Sequence, residues 1–298
     1  MGNDKEIFWS AISKDDLLFL GEAAGYQTSF IEEDEGSDAD SLIPYEKDPT
    51  KIIKEISAKA ISETPEDFCR FVTENKEEIW LAAVFDDDAI RALITGYKFG
   101  IGQKCGASAN DLGTLYYMGE LVEQDYAKAA ELYELAIGWG CDQSIINMGY
   151  IYEYGRVGKP DYAKAFEYYS LGVALSDKSE AFYKLGDMYS RGKGVSKDLS
   201  KAAALWQKSL NRARGLVEVA QPAIRLAPLY LEGSEEAKID KDALHALRLY
   251  QDAEIGLRID IKNGQIYYKD RLVQAIEGQE RARRVLDTLA NFETAQLS

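Results

Sequence analysis

The chain has 298 residues, of which 46% are hydrophobic, enough to bury a sizeable core. Its 51 acidic against 35 basic side chains leave a formal net charge of -16, which repels phosphate backbones and anionic lipid surfaces where no basic patch intervenes, so neither nucleic acid nor membrane is an expected partner. One histidine and three cysteines without a CxxC pair leave no basis for a His-rich metal site, a zinc ribbon or a disulfide framework.

No apolar run reaches the roughly 20 residues of a membrane span, and no basic segment followed by an apolar stretch opens the chain. Glu6 stands where an N-myristoylation motif wants Ser or Thr. A cytoplasmic location is the expectation. Cys69, Cys105 and Cys141 are expected as ordinary, partly buried thiols.

Residues 1–76 read as an acidic N-terminal helical cap. The first 50 residues carry 13 acidic side chains and three lysines. Between them, 7–25 has Phe8, Ile12, Leu17, Leu18 and Leu20 at amphipathic helical spacing. The run Glu32 to Asp40 has no hydrophobic period, which predicts a flexible solvated loop near 32–48. It does not fit an EF-hand: counting from Asp34, the sixth and twelfth positions hold Ala39 and Tyr45 in place of Gly and Glu. Ile52, Ile53, Ile56 and Ala60 then mark a helix, and Thr64-Pro65-Glu66-Asp67 reads as an N-cap, a first-turn proline and first-turn acids, with Phe68, Phe71 and Val72 inward.

From residue 77 the chain becomes repetitive. Asp88, Arg91 and Ala92 lie 37 residues before Asp125, Lys128 and Ala129, so 77–108 reads as a decayed first copy. Three clean copies follow, near 109–144, 145–181 and 182–215. Each begins on the same helix: LGTLYYMG at 112–119, MGYIYEYG at 148–155 and LGDMYSRG at 185–192. An aspartate follows (Asp125, Asp161, Asp198), then Lys-Ala, then a closing aromatic (Tyr133, Tyr169, Trp206). From Gly119 to Gly155 is 36 residues and from Gly155 to Gly192 is 37, a period that marks stacked helical pairs.

Each letter has a physical reason. Glycine inside a helix costs about 1 kcal/mol relative to alanine, so Gly113, Gly149 and Gly186 predict a close approach by a neighbouring helix. Gly119, Gly155 and Gly192 stand where the first helix should stop, in the left-handed conformation. The aspartates are N-caps for the second helix, and Ala129, Ala165 and Ala202 give the small surface against which the first helix packs.

The pattern A-x-x-x-LG-x-LY-x-x-G…D-x-x-KA…(W/Y), over roughly Ala109 to Leu210, resembles the Sel1-like repeat, a relative of the tetratricopeptide repeat. The resemblance implies an all-α fold, a right-handed α/α superhelix or solenoid of helix-turn-helix repeats, used as an adaptor or scaffold in protein complexes.

A degenerate fourth copy near 222–256 runs through Leu226, Tyr230, Gly233, Asp242, Ala246 and Tyr250, with three extra residues in its turn. The array thus spans 77–256. Pro228 predicts a kink or a late start in its first helix, and His245 takes the place of the usual lysine and is expected at the surface. In 257–298, Leu257, Ile259 and Ile261 alternate before Asn263-Gly264, but a lone strand would have nothing to pair with; C-terminal capping helices are expected instead.

Chemistry is sparse. No P-loop or dinucleotide fingerprint is present, any triad would have to use His245, and no cofactor is expected. Removing the packing positions from the first helices leaves a face made of Asn110, Ile146 and Tyr183, then Thr114, Tyr150 and Asp187, then Met118, Tyr154 and Arg191, with Tyr117 at its border. Tyrosines with polar neighbours are enriched at protein interfaces. The partner-binding candidates are therefore Asn110, Thr114, Tyr117, Tyr150, Tyr154, Tyr183, Asp187 and Arg191, facing an unknown protein or peptide on the concave side. The expected function is a non-enzymatic scaffold, and the alternative is an α/α-fold hydrolase using a carboxylate pair. The acidic N-terminal run is a second candidate ligand, drawn by Lys184, Arg191 and Arg225.

Overall fold

The computed structural model describes residues 49–62 and 64–296. The helix expected over 7–25 and the acidic loop near 32–48 lie outside the described residues. Among these, all regular structure is helical apart from one isolated antiparallel bridge between Ser234 and Ile239. The chain divides into two compact units, one ending at Met148 and the other beginning at Gly149.

The first unit holds α1 (Pro49–Ser62), α2 (Pro65–Glu74), α3 (Lys76–Phe85), α4 (Asp87–Gly102), α5 (Gly106–Met118) and α6 (Tyr126–Gly138), and the boundary falls within α7 (Asp142–Glu153). The cap read from the sequence is in place: Thr64 Oγ1 accepts from the Asp67 amide at 3.2 Å. Ile52, Ile53, Ile56, Phe68, Val72, Ile79, Leu93 and Ile101 form the core. Two details differ from the repeat register. Asp86, not Asp88, caps α4, its carboxylate accepting from the Asp88 amide at 2.9 Å. Moreover, α4 packs chiefly on α1 rather than on α3.

The second unit continues with α8 (Tyr162–Leu175), α9 (Ser179–Arg191), α10 (Leu199–Arg212), α11 (Leu216–Glu232), α12 (Ala243–Lys262), a 3-10 turn at Ile266–Tyr268 and α13 (Lys269–Gln296). Packing is between sequence neighbours, α9 on α10, α11 on α12 and α12 on α13, as a solenoid of paired helices requires. The alternation Leu257, Ile259, Ile261 is helical within α12. Pro222 and Pro228 both lie inside α11, so this helix does not start late.

The repeated letters have structural roles that recur copy by copy. A Cβ on Gly113 would stand 2.8 Å from the Tyr133 ring, one on Gly149 2.3 Å from Tyr169, and one on Gly186 2.6 Å from Trp206. The closing aromatic of each copy therefore lies directly on the glycine of its own first helix. The fourth aromatic, Tyr250, does the same to Gly278 of α13, at 2.3 Å. Gly119, Gly155 and Gly192 have φ of 68°, 61° and 65°, the left-handed stop. Asp125, Asp161, Asp198 and Asp242 accept from the amides of Lys128, Lys164, Lys201 and His245 at 2.8–3.0 Å. Their own amides donate back to the carbonyls of Tyr116, Tyr152, Tyr189 and Tyr230 at 2.7–3.0 Å, which clamps the turn from both sides.

The lysine of each Lys-Ala pair is also explained. Lys128, Lys164 and Lys201 lie over the rings of Tyr116, Tyr152 and Tyr189 at 5.1, 4.8 and 5.3 Å, a cation–π contact. His245 is half-buried, not simply at the surface. It takes the lysine's place against Tyr230, edge to face at 4.3 Å between ring centres.

Candidate functional site

The residues that vary between copies cluster on the first helices of the repeats, and their surroundings differ between the two units. In the first unit, Asn110 is buried. Its Oδ1 accepts from Ser144 Oγ at 2.8 Å and from Asn147 Nδ2 at 3.0 Å. Its Nδ2 donates to Asp111 at 3.0 Å. Thr114 donates to the Asn110 carbonyl at 3.0 Å and meets the Tyr133 hydroxyl at 3.3 Å. Tyr117 packs edge-on against Tyr126. This polar set ties adjacent helices together.

In the second unit the variable positions form a connected layer of charges and rings. Tyr150 donates to Glu180 Oε1 at 2.7 Å and meets the Tyr183 hydroxyl at 3.2 Å. Tyr154 stacks on Tyr150 at 5.9 Å and is 49% exposed, whereas Tyr183 is buried. Lys184 Nζ pairs with Glu153 Oε2 at 2.5 Å, both side chains being almost fully enclosed, and it lies over the Tyr150, Tyr154 and Tyr169 rings at 4.4, 5.2 and 5.2 Å. The Tyr169 hydroxyl donates to the same Glu153 oxygen at 3.0 Å. Burial pushes the Tyr150, Tyr169 and Tyr183 phenols well above their usual range.

One helix further on, Asp187 receives Arg225 Nε at 2.5 Å and Nη2 at 2.6 Å, and Trp206 Nε1 at 3.1 Å. Burial alone would raise the Asp187 carboxyl. The charge and hydrogen bonds of Arg225, with the charges of Lys184 and Arg191 behind it, reverse that and hold it below the ordinary carboxylate range. Arg225 also covers the Tyr183 ring at 4.8 Å and donates to Gln221 Oε1 at 3.2 Å. Arg271 of α13 donates to that same Gln221 oxygen and lies over the Tyr268 ring at 5.3 Å. The amide nitrogen of Gln221 is enclosed and has no hydrogen-bond partner within the protein.

Of the residues expected on the binding face, the structure therefore joins Tyr150, Tyr154, Tyr183 and Asp187 in one layer, with exposed Arg191 contributing to the field on Asp187. Lys184 and Arg225 are paired with Glu153 and Asp187, so neither offers an unpaired charge to the acidic N-terminal run. The sequence reading passed over Glu153, Glu180, Gln221 and Arg271. A signal for part of the layer was present: the position before each LG holds Asp111, Asn147 and Lys184 in turn, and Arg225 in the fourth copy, never an apolar residue.

Among the described residues two carboxyls are shifted upward, Asp111 and Asp260, the latter to about 6, and burial is the first cause in both. Neither shift comes from a second carboxylate. Among the described residues no group of three or more His, Cys, Asp or Glu side chains is placed to hold a metal ion. No helix among them is long and apolar enough to cross a membrane.

The sequence profile of the Sel1 repeat matches residues 106–137, 142–177, 179–212 and 223–253, the last falling on the degenerate copy that ends at Tyr250. A crystal structure of a Sel1 repeat protein from Oxalobacter formigenes aligns with a TM-score of 0.50 at 20% identity, over 78% of this chain and 99% of that one. A protective antigen present in uropathogenic Escherichia coli strains, which displays an SLR fold, aligns with a TM-score of 0.51 at 19% identity. That alignment covers 78% of this chain and 48% of the antigen, so the chain matches about half the antigen's length. At these identities the likeness is one of fold. No curated protein matches the chain in sequence. With paired helices, recurrent glycine–aromatic contacts and four matched copies, residues 106–253 are an array of Sel1 repeats.

Proposed function

We propose that the chain is a protein-interaction scaffold, and that it holds a peptide or protein segment of its partner against the first-helix face of the second unit. The observation that carries this reading is the exposed Tyr154 ring, stacked on Tyr150 and so set on the layer that Tyr150, Glu180 and Tyr183 hold in place. An accessible ring on a fixed support gives contact area of the kind that dominates interfaces. Arg271 suits a carbonyl or carboxylate group of the bound segment, since its contacts here are an amide oxygen and a tyrosine ring rather than a carboxylate.

The test is affinity capture from the native cell with the wild-type chain and with Tyr154→Ala and Arg271→Ala, the bound proteins being identified and quantified. A shared set of bound proteins should fall by about tenfold or more in both variants, with the unfolding midpoint nearly unchanged for Tyr154→Ala. Tyr150→Ala should behave differently: its hydroxyl bonds Glu180 and Tyr183, so it should lower stability by about 2–3 kcal/mol. Equal retention by wild type and both variants would overturn the assignment of this face.

A further inference from the structure

Two thiols of the first unit meet at Ser108. Cys69 in α2 and Cys105 at the N-cap of α5 are both free and are 6% and 4% exposed. The Cys69 sulfur is 3.4 Å from Ser108 Oγ, and the Cys105 sulfur accepts from the Ser108 amide at 3.5 Å. Both sulfurs thus meet the same residue, one at the Ser108 hydroxyl and the other at its amide. A tight turn fixes Cys105: its amide donates to the Gly100 carbonyl at 3.0 Å, and Lys104 before it takes a left-handed φ of 59°.

The partners divide the roles. Hydrogen bonds from Cys69 and from Ser108 favour the Cys105 thiolate against burial and bring it down to about 6, while the contact with Cys105 and then burial push the Cys69 thiol up. A sulfur at a helix N-terminus also gains from the dipole. Placed at the N-terminus of α5, Cys105 has the character of an attacking thiolate, and Cys69, in contact with the Ser108 hydroxyl, is the second thiol.

We propose that Cys69 and Cys105 form a thiol-oxidation site at which a peroxide converts the adjacent pair into an intramolecular disulfide, joining α2 to the first turn of the first Sel1 repeat. The Cys105 thiolate takes one oxygen from hydrogen peroxide, the O–O bond breaks, and the departing hydroxide collects a proton as water. The Cys69 sulfur, giving up its proton, then attacks the sulfenic sulfur; the S–S bond forms and the sulfenic oxygen leaves as a second water. The thiols lose two electrons in all, and the peroxide gains them.

The experiment exposes the full chain to hydrogen peroxide at about millimolar concentration, quenches with N-ethylmaleimide and maps peptides by mass spectrometry without reduction. The expected product is a Cys69–Cys105 linked peptide, lighter than the two reduced peptides by two hydrogens and released by dithiothreitol, with Cys141 recovered as its maleimide adduct. Closing this loop should also raise the unfolding midpoint of the full chain by several degrees. In Cys69→Ala, dimedone should trap Cys105 as its sulfenic acid, with far-UV circular dichroism confirming that the variant is folded. Recovery of both Cys69 and Cys105 as maleimide adducts from the peroxide-treated wild-type chain overturns the proposal, as does a linkage that runs through Cys141.

Discussion

The Asp187–Arg225 pair should be the most sensitive single contact of the second unit, and Asp187→Ala is the perturbation that exposes it. The substitution removes the acceptor of three donors: Arg225 Nε at 2.5 Å, Arg225 Nη2 at 2.6 Å and Trp206 Nε1 at 3.1 Å. What remains is a guanidinium with its side chain only 10% exposed and an indole N–H without a partner. Breaking one side of a buried ion pair costs about 3–5 kcal/mol, and the stranded indole adds about 1 kcal/mol. The expected loss is therefore about 4–6 kcal/mol, or on the order of 10 °C in unfolding midpoint.

Urea unfolding followed by far-UV circular dichroism measures the loss. The double variant Asp187→Ala/Arg225→Leu should recover at least about 2 kcal/mol of it, because the residual penalty is the unpaired charge rather than the missing bond. pH supplies a second check. Since the folded-state carboxyl is held low against the pull of burial, its contribution is present above the ordinary carboxylate value and is lost as pH falls through the lowered one. The gap between wild type and Asp187→Ala should therefore close on acidification. A loss below about 1 kcal/mol, typical of an exposed pair, or a double variant no better than Asp187→Ala, would refute this reasoning.

Two further outcomes follow from the same geometry. Gly149→Ala should destabilise by about 1–3 kcal/mol despite alanine's better helix propensity, because its Cβ would fall 2.3 Å from the buried Tyr169 ring; Gly138→Ala, with nothing within 4 Å, should be neutral or slightly stabilising, and equal effects in thermal melts would contradict the packing role. The Asp260 carboxyl is raised to about 6 by burial, so its proton stabilises the fold at low pH and this contribution is lost as pH rises through that value. Asp260→Asn should then gain about 1 kcal/mol near pH 8 and nothing near pH 4, and a gain that does not depend on pH would show that the charge is not responsible.

The local grammar of this chain is written in its sequence. Gly119, Gly155 and Gly192 end their helices at positive φ, and Asp125, Asp161 and Asp198 start the next ones. Both effects act within a few residues of their cause, so spacing alone located them. The intra-repeat packing was legible for the same reason: a costly glycine recurring mid-helix demanded a near neighbour, and the aromatic about 20 residues on supplies it in each of the three clean copies.

The identity of the pairs that join one helix to another was not legible. Glu153 meets Lys184, Asp187 meets Arg225, and Gln221 meets Arg271, each across tens of residues. At every such position several carboxylates and cations lie within reach in sequence terms. Choosing among them depends on helix rotation and on which side chains are enclosed. That is why Tyr183 and Asp187, whose spacing places them on the open face, are buried, while Tyr154 on the same face stays exposed. The repeat determined the frame, because capping and turning are local, and only the tertiary structure decided which polar groups of the frame are satisfied within it, because burial and charge pairing belong to neighbouring helices together.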